Sequence, residues 1–176
     1  MNYQLEQVFQ NCFYQHYRTR LVGGASEPLY QPGCGNIDDH QVMYRQDFFA
    51  SALHEVAHWC IAGDQRRQHI DYGYWYVPDG RDATRQRQFE QVEVKPQAVE
   101  WHFALACGVP FRISADNLDG EVRTGGMFAR SVSEQAQQYC RDRLPPRAEQ
   151  FRLALAEEFG GAARPSPVRF EAESLA

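Results

Sequence analysis

The chain reads as a single α+β domain, a small sheet packed on helices, and three observations predict it. Apolar residues recur at helical spacing in several separated segments, among them 3–17 and 48–61. Short β-branched or aromatic runs, "HQVMYR" at 40–45 and "HIDYGYWYV" at 69–77, lie between and after them. The most apolar helical segment spells His54-Glu55-Val56-Ala57-His58, an H-E-x-x-H pattern, so chemistry and architecture meet in one element.

Each element follows from local chemistry. Leu5, Val8, Phe9, Cys12 and Phe13 give residues 3–17 one apolar face. "GGASEPLYQPGCGNIDD", 23–39, is rich in turn formers and reads as a loop. Asp47 is placed to cap the next helix and Gly63 to end it. Phe48, Phe49, Ala52, Leu53, Val56, Ala57, Cys60 and Ile61 make that helix apolar on more than one face, so it belongs in the interior. After the strand at 69–77, Pro78-Asp79-Gly80 reads as a turn, and 81–91 are polar and helix-compatible. Residues 92–108 hold a second buried helix ending at Gly108, with Pro96 confined to its first turn. Residues 109–128 read as irregular, with Gly120 and Gly125-Gly126, and helices follow over 131–142 and 146–159. Beyond Gly160 there is little to bury: residues 1–160 form the metal-binding domain and 161–176 a mobile tail.

Composition narrows the function. A length of 176 residues with 43% hydrophobic residues supplies a core for one domain. A net charge of −5 argues against general nucleic-acid binding. Cys12, Cys34, Cys60, Cys107 and Cys140 form no CxxC pair and read as free thiols in a reducing compartment. "MNYQLEQVFQNCF" has neither the basic nor the apolar region of a signal peptide. No apolar run reaches the ~18 residues that a membrane span needs. The expected location is the cytoplasm.

His54 and His58 share one helix face and can grip one ion. Burying two histidines and Glu55 without compensation is costly, which favours a metal. A third protein ligand is expected, with positions left open for water or substrate. Glu90, Glu93, Glu100, His69 and His102 are the downstream candidates. Glu93 is preferred. "EVKPQ" is similar to the E-x-x-A-D pattern of gluzincin-type zinc enzymes, with Pro96 for Ala and Gln97 for the residue that orients a ligand imidazole. Glu100 is the runner-up; with Ala104 at +4 it offers no such partner. His16, His40, His69 and His102 read as surface or satisfied histidines, and Trp59, Trp75 and Trp101 as core. A His2Glu site supports two chemistries. With zinc, Glu55 is the general base of peptide hydrolysis. With ferrous iron, Fe(II), the site binds and activates dioxygen. Spacing alone leaves both open.

The runs "ASALHEVAHWCIAG", "DYGYWYVPDGRDATRQRQFEQVEVKPQAVEW" and "ACGVPFRISADNLDG" decide between them. Together they resemble the elongation factor P hydroxylase family across residues 6–160. The resemblance implies a zincin-like, peptidase-like fold and a non-haem iron monooxygenase. Its partners are dioxygen and elongation factor P, whose β-lysylated lysine it hydroxylates. His54 and His58 carry over as ligands, and the carboxylate as Glu93 or Glu100. Asp71, Asp79 and Asp82 are candidates to receive a cationic side chain. Arg66, Arg67, Arg81, Arg85 and Arg87 are candidates to dock an acidic protein. No 2-oxoglutarate-binding pattern is evident. A minimal gluzincin-type zinc metallopeptidase is the alternative, and a metal-free interaction protein the remaining one.

Overall fold

A computed structural model describes residues 1–35, 38–72, 83–114 and 126–172. Among these are five α-helices and one three-stranded sheet. Helix α1 (Asn2–Tyr17) turns Leu5, Val8, Phe9 and Phe13 inward, as its periodicity requires. Strands β1 (Thr19–Ala25), β2 (Leu29–Gln31) and β3 (His40–Arg45) follow, in the order β1-β3-β2. β1 runs parallel to β3, with Leu21 opposite Val42; β2 runs antiparallel, with Tyr30 opposite the same Val42.

Two of these strands fall in or run into the stretch expected to be a loop. The turn-forming glycines serve the sheet instead. A Cβ on Gly23 would stand 2.7 Å from the Tyr44 hydroxyl, so only glycine allows the close approach. Gly24 has φ +86 where the register shifts between Val22 and Ala25, a bulge rather than a strand end.

Helix α2 (Phe49–Ile61) buries Ala52, Leu53, Val56, Ala57, Trp59 and Cys60 and packs on β3, α3 and α5. Its ends differ from expectation. Phe48 is the N-cap and no side chain caps the helix; Asp47 instead accepts a hydrogen bond at its carbonyl from the Asn2 side chain (2.5 Å). Nor does a left-handed Gly63 end it. Ala62, in extended conformation, follows the last turn. The Arg147 guanidinium donates to the carbonyls of Trp59, Cys60 and Ala62, at 3.2, 3.0 and 2.5 Å. Arg67 also donates to Ala62 (2.5 Å). Two cations thus satisfy the end where the helix dipole is negative.

Helix α3 (Ala83–Cys107) is one element of 25 residues with Pro96 well inside it, not in a first turn. An interior proline costs ~3 kcal/mol. Burial of Ala98, Val99, Trp101, Phe103, Ala104 and Ala106 beyond it outweighs that cost. Gly108, with φ +69, ends the helix as expected. Helices α4 (Gly126–Asp142) and α5 (Pro146–Phe159) close the fold; α5 matches its predicted span and α4 begins earlier.

The main core joins α1, the sheet, α2, α3 and α5, with Phe9, Phe13, Trp59, Phe103 and Phe151 linked in a chain of ring contacts. A second cluster lies between α3, α4 and the C-terminal segment: Ala98, Trp101, Phe128, Val132, Ala136 and Phe170. The segment after Gly160, expected to be a tail, makes contacts with both clusters among the described residues. Gly161 and Ala162 donate to the carbonyls of Ala106 and Leu105. Pro167–Phe170 form a 3-10 turn, and Phe170 is fully buried. The composition of the tail hid one aromatic anchor. Of the strand expected at 69–77, Asp71 makes a single bridge to Tyr30. Residues 73–82 and 115–125 lie outside the described residues, and with them Trp75, Asp79, Arg81, Asp82, the turn at 78–80, Gly120 and Gly125.

A candidate metal centre between α2 and α3

α2 presents His54 and His58 one turn apart, and α3 presents Glu93 and Glu100 two turns apart, across the same seam. The two Nε2 atoms stand 3.0 Å from each other. Glu93 Oε1 is 3.2 Å from His58 Nε2, and Oε2 is 3.5 Å from His54 Nε2. Among the described residues, His54, His58 and Glu93 bring one ligand atom each within 4.8 Å of the others. Glu93 is 3% exposed, yet among the described residues its Oε2 has no hydrogen-bond partner. A buried carboxylate oxygen so left, beside two imidazole nitrogens, is short of a cation.

The Glu100 carboxylate lies on the far side of His54, with Oε2 2.8 Å from Nδ1. A carboxylate only accepts, so the hydrogen-bond network puts a proton on Nδ1 and leaves Nε2 as the nitrogen facing His58 and Glu93. That is the arrangement by which a carboxylate fixes the tautomer and angle of a ligand histidine. Gln97, expected in that role, is committed elsewhere. Its side chain donates to the Ser114 carbonyl (2.6 Å) and accepts from the Ser114 N–H (3.1 Å), holding the segment after α3. The signal for Glu100 was in the sequence: seven residues are nearly two turns, so Glu93 and Glu100 share a face.

Electrostatics agree with the donor set. Burial by itself would raise the Glu93 carboxyl, but the facing His58, then His54 and Gln97, more than offset it and hold it down to about 2. Burial disfavours a charged His54, but the Glu100 hydrogen bond and the charges of Glu100, Glu93 and Glu55 override it, so the ring's affinity for a proton is raised. A pocket this rich in negative charge suits a divalent cation. Glu55 is raised by its own burial and by repulsion from Glu93 and Glu100. It borders a water-sized crevice of about 20 Å³ shared with His58, Trp59, Arg66 and Asp71.

The other candidates stand apart. Glu90 accepts from Gln86 (3.3 Å), and His69 is exposed. His102 is 2% exposed on another side of α3 and donates from Nε2 to the Ala136 carbonyl (3.0 Å). His40 accepts from the Gly33 N–H (2.9 Å). Trp59 and Trp101 are core, as expected. The basic cluster is partly committed inside the fold. Arg66 pairs with Asp71, and Arg67 with Asp64 and the end of α2. Arg85 and Arg87 are exposed. No described helix is long and apolar enough to cross a membrane.

Comparison with known proteins adds two findings. The family described as elongation factor P hydroxylase matches residues 8–167. A Haemophilus influenzae protein named elongation factor P lysine hydroxylase is 47% identical over 158 residues, covering 88% of this chain and 89% of that protein.

Proposed function

We propose, for a chain that belongs to the elongation factor P hydroxylase family, that it is an iron-dependent monooxygenase acting on the β-lysylated lysine of elongation factor P. The observation that carries the reading is the convergence of His54, His58 and Glu93 on one point, with Glu93 Oε2 lacking any other partner. Two imidazoles, one carboxylate and open positions are the donor set of non-haem Fe(II) oxygenases. Ferrous iron, when bound, supplies the redox chemistry by which dioxygen serves as oxidant.

The residues divide the remaining work. His54, His58 and Glu93 are the ligands. Glu100 orients His54 and keeps its Nε2 free of a proton. Glu55 stands on the crevice side of His58. Hydroxylation by dioxygen needs no water made into a nucleophile, so Glu55 is not a general base here. It accepts a hydrogen bond from water or from the substrate amine. The architecture is zincin-like, with α2 as its central helix. The protein acts in the cytoplasm on a protein substrate, without nucleic acid or membrane. The test is mass spectrometry of β-lysylated elongation factor P incubated with iron-loaded protein in air. The modified lysine gains one oxygen atom. Deletion of the gene in a host with the upstream modification removes that oxygen, and an unchanged mass in the deletion strain sinks the proposal.

A further inference from the structure

A second site lies away from the metal centre, between the end of α4, the start of α5 and the segment after it. A cavity of about 180 Å³ opens there, several times the ~30 Å³ share of one water. Arg141, Arg143, Arg152 and Arg164 line it, against one carboxylate, Glu149. The chain as a whole carries −5, so this is a local reversal of its charge.

Two buried groups in the lining lack partners. Arg152 is 4% exposed; its Nη2 donates to Glu149 (2.6 Å) but, among the described residues, Nη1 donates to nothing. His102 is 2% exposed; Nε2–H is used on the Ala136 carbonyl, and Nδ1, then a bare acceptor, has no partner. Buried polar atoms are nearly always satisfied, and here a donor and an acceptor are left over on two residues that line one cavity. The missing occupant is an anion that also carries a proton to give.

We propose that this cavity binds a phosphoryl group, as hydrogen phosphate or the head of a phosphate monoester. Its oxygens take hydrogen bonds from Arg152 Nη1 and the rim arginines, and a P–OH donates to His102 Nδ1. A lone carboxylate would need one guanidinium fork. Four arginines around a half-open cavity suit a tetrahedral anion of higher charge. The site is independent of the metal centre and of the reaction assigned to it.

The test is calorimetric titration of the full chain with inorganic phosphate, sulfate, chloride and adenosine monophosphate at constant ionic strength and pH 6, where about half of a monoester with a second pKa of about 6 still carries a P–OH. Phosphate is expected to bind saturably, and at least tenfold more tightly than sulfate, which at that pH has no O–H to donate. The exposed-rim variant Arg141→Gln/Arg164→Gln should keep its circular dichroism and lose at least tenfold in affinity. Phosphate held at the metal centre would not respond to that change. Tighter binding of the nucleotide than of free phosphate assigns the natural ligand to the monoesters, and the reverse to free phosphate. Binding no stronger than that of chloride, equal binding of sulfate, or undiminished binding in the rim variant overturns the proposal and leaves the cavity to water.

Discussion

Replacing Glu100 by Ala tests the division of labour between the two carboxylates of α3. In the structure Glu100 makes one contact with the site, the 2.8 Å bond to His54 Nδ1, and it is 8% exposed. Losing the carboxylate that orients a ligand histidine typically weakens metal binding 10–100-fold. The Glu100 side chain is nearly closed to solvent, so water replaces the acceptor poorly and the upper half of that range is expected, about 2–2.7 kcal/mol. Replacing Glu93 removes the proposed anionic ligand itself. If the ~10–16 kcal/mol of a four-ligand structural zinc site is shared equally, one ligand is worth about 2.5–4 kcal/mol, or some 10²–10³-fold. Anaerobic chelator competition with Fe(II), backed by circular dichroism to show that both variants fold, measures the order. Glu93→Ala must lose more than Glu100→Ala, and Glu100→Gln, which keeps an acceptor, must fall between Glu100→Ala and wild type. If Glu100→Ala loses the metal while Glu93→Ala retains it, the roles are reversed and the ligand assignment is wrong.

Glu55→Gln keeps the size of the side chain and one acceptor but removes a base. It should still bind iron and keep hydroxylation within ~10² of wild type. Zinc-dependent peptide cleavage by the wild type, abolished by Glu55→Gln, would instead establish the metallopeptidase. Burial lowers the His102 pKa to about 4. The unfolded chain therefore binds a proton below ~6.5 that the folded chain refuses, and stability falls as pH drops from there toward 4. At pH 5 the loss is about 2 kcal/mol relative to pH 7. Urea titrations at both pH values should show His102→Asn losing less over that interval than wild type, and equal losses would refute the assignment. Phe170→Ala removes a fully buried ring in contact with Trp101 and His102. It should cost ~3–5 kcal/mol by denaturant unfolding; a loss under ~1 kcal/mol would mean that the C-terminal segment is not docked in solution.

Local periodicity was enough wherever one element decides its own face. α1, β3, α2 and α5 fall where their apolar spacing puts them, because each has its own apolar residues to bury whatever its neighbours do. The misreadings share a cause: the deciding partner lies far along the chain. Gly23 and Gly24 look like loop residues until Tyr44 is set beside one and the bulge against β3 beside the other. Pro96 looks like a helix boundary because its local cost is known and the burial that outweighs it is not. Arg147, which closes α2 from a distance of about 85 residues in the chain, carries no local signal at all.

The candidate metal centre divides along the same line. His54 and His58 were legible because i and i+4 on one helix is a complete statement about shared direction. Glu93 and Glu100 were legible as a pair for a similar reason. At 100° per residue, seven steps return to within about 20° of the start, whereas the four steps to Gln97 overshoot by about 40°. Gln97 and Glu100 thus differ by roughly 60° around α3, enough for one to reach the Ser114 backbone while the other reaches His54. The choice between them turns on the axial offset of α3 against α2. A pattern such as E-x-x-P-Q fixes positions along one helix and is silent about that offset. The carboxylate level with both Nε2 atoms faces the shared point, and the one two turns on falls beside Nδ1. In a helix slid by two turns Glu100 would stand where Glu93 now does, without any change in sequence spacing, so the ligand assignment belongs to the packing of α2 on α3.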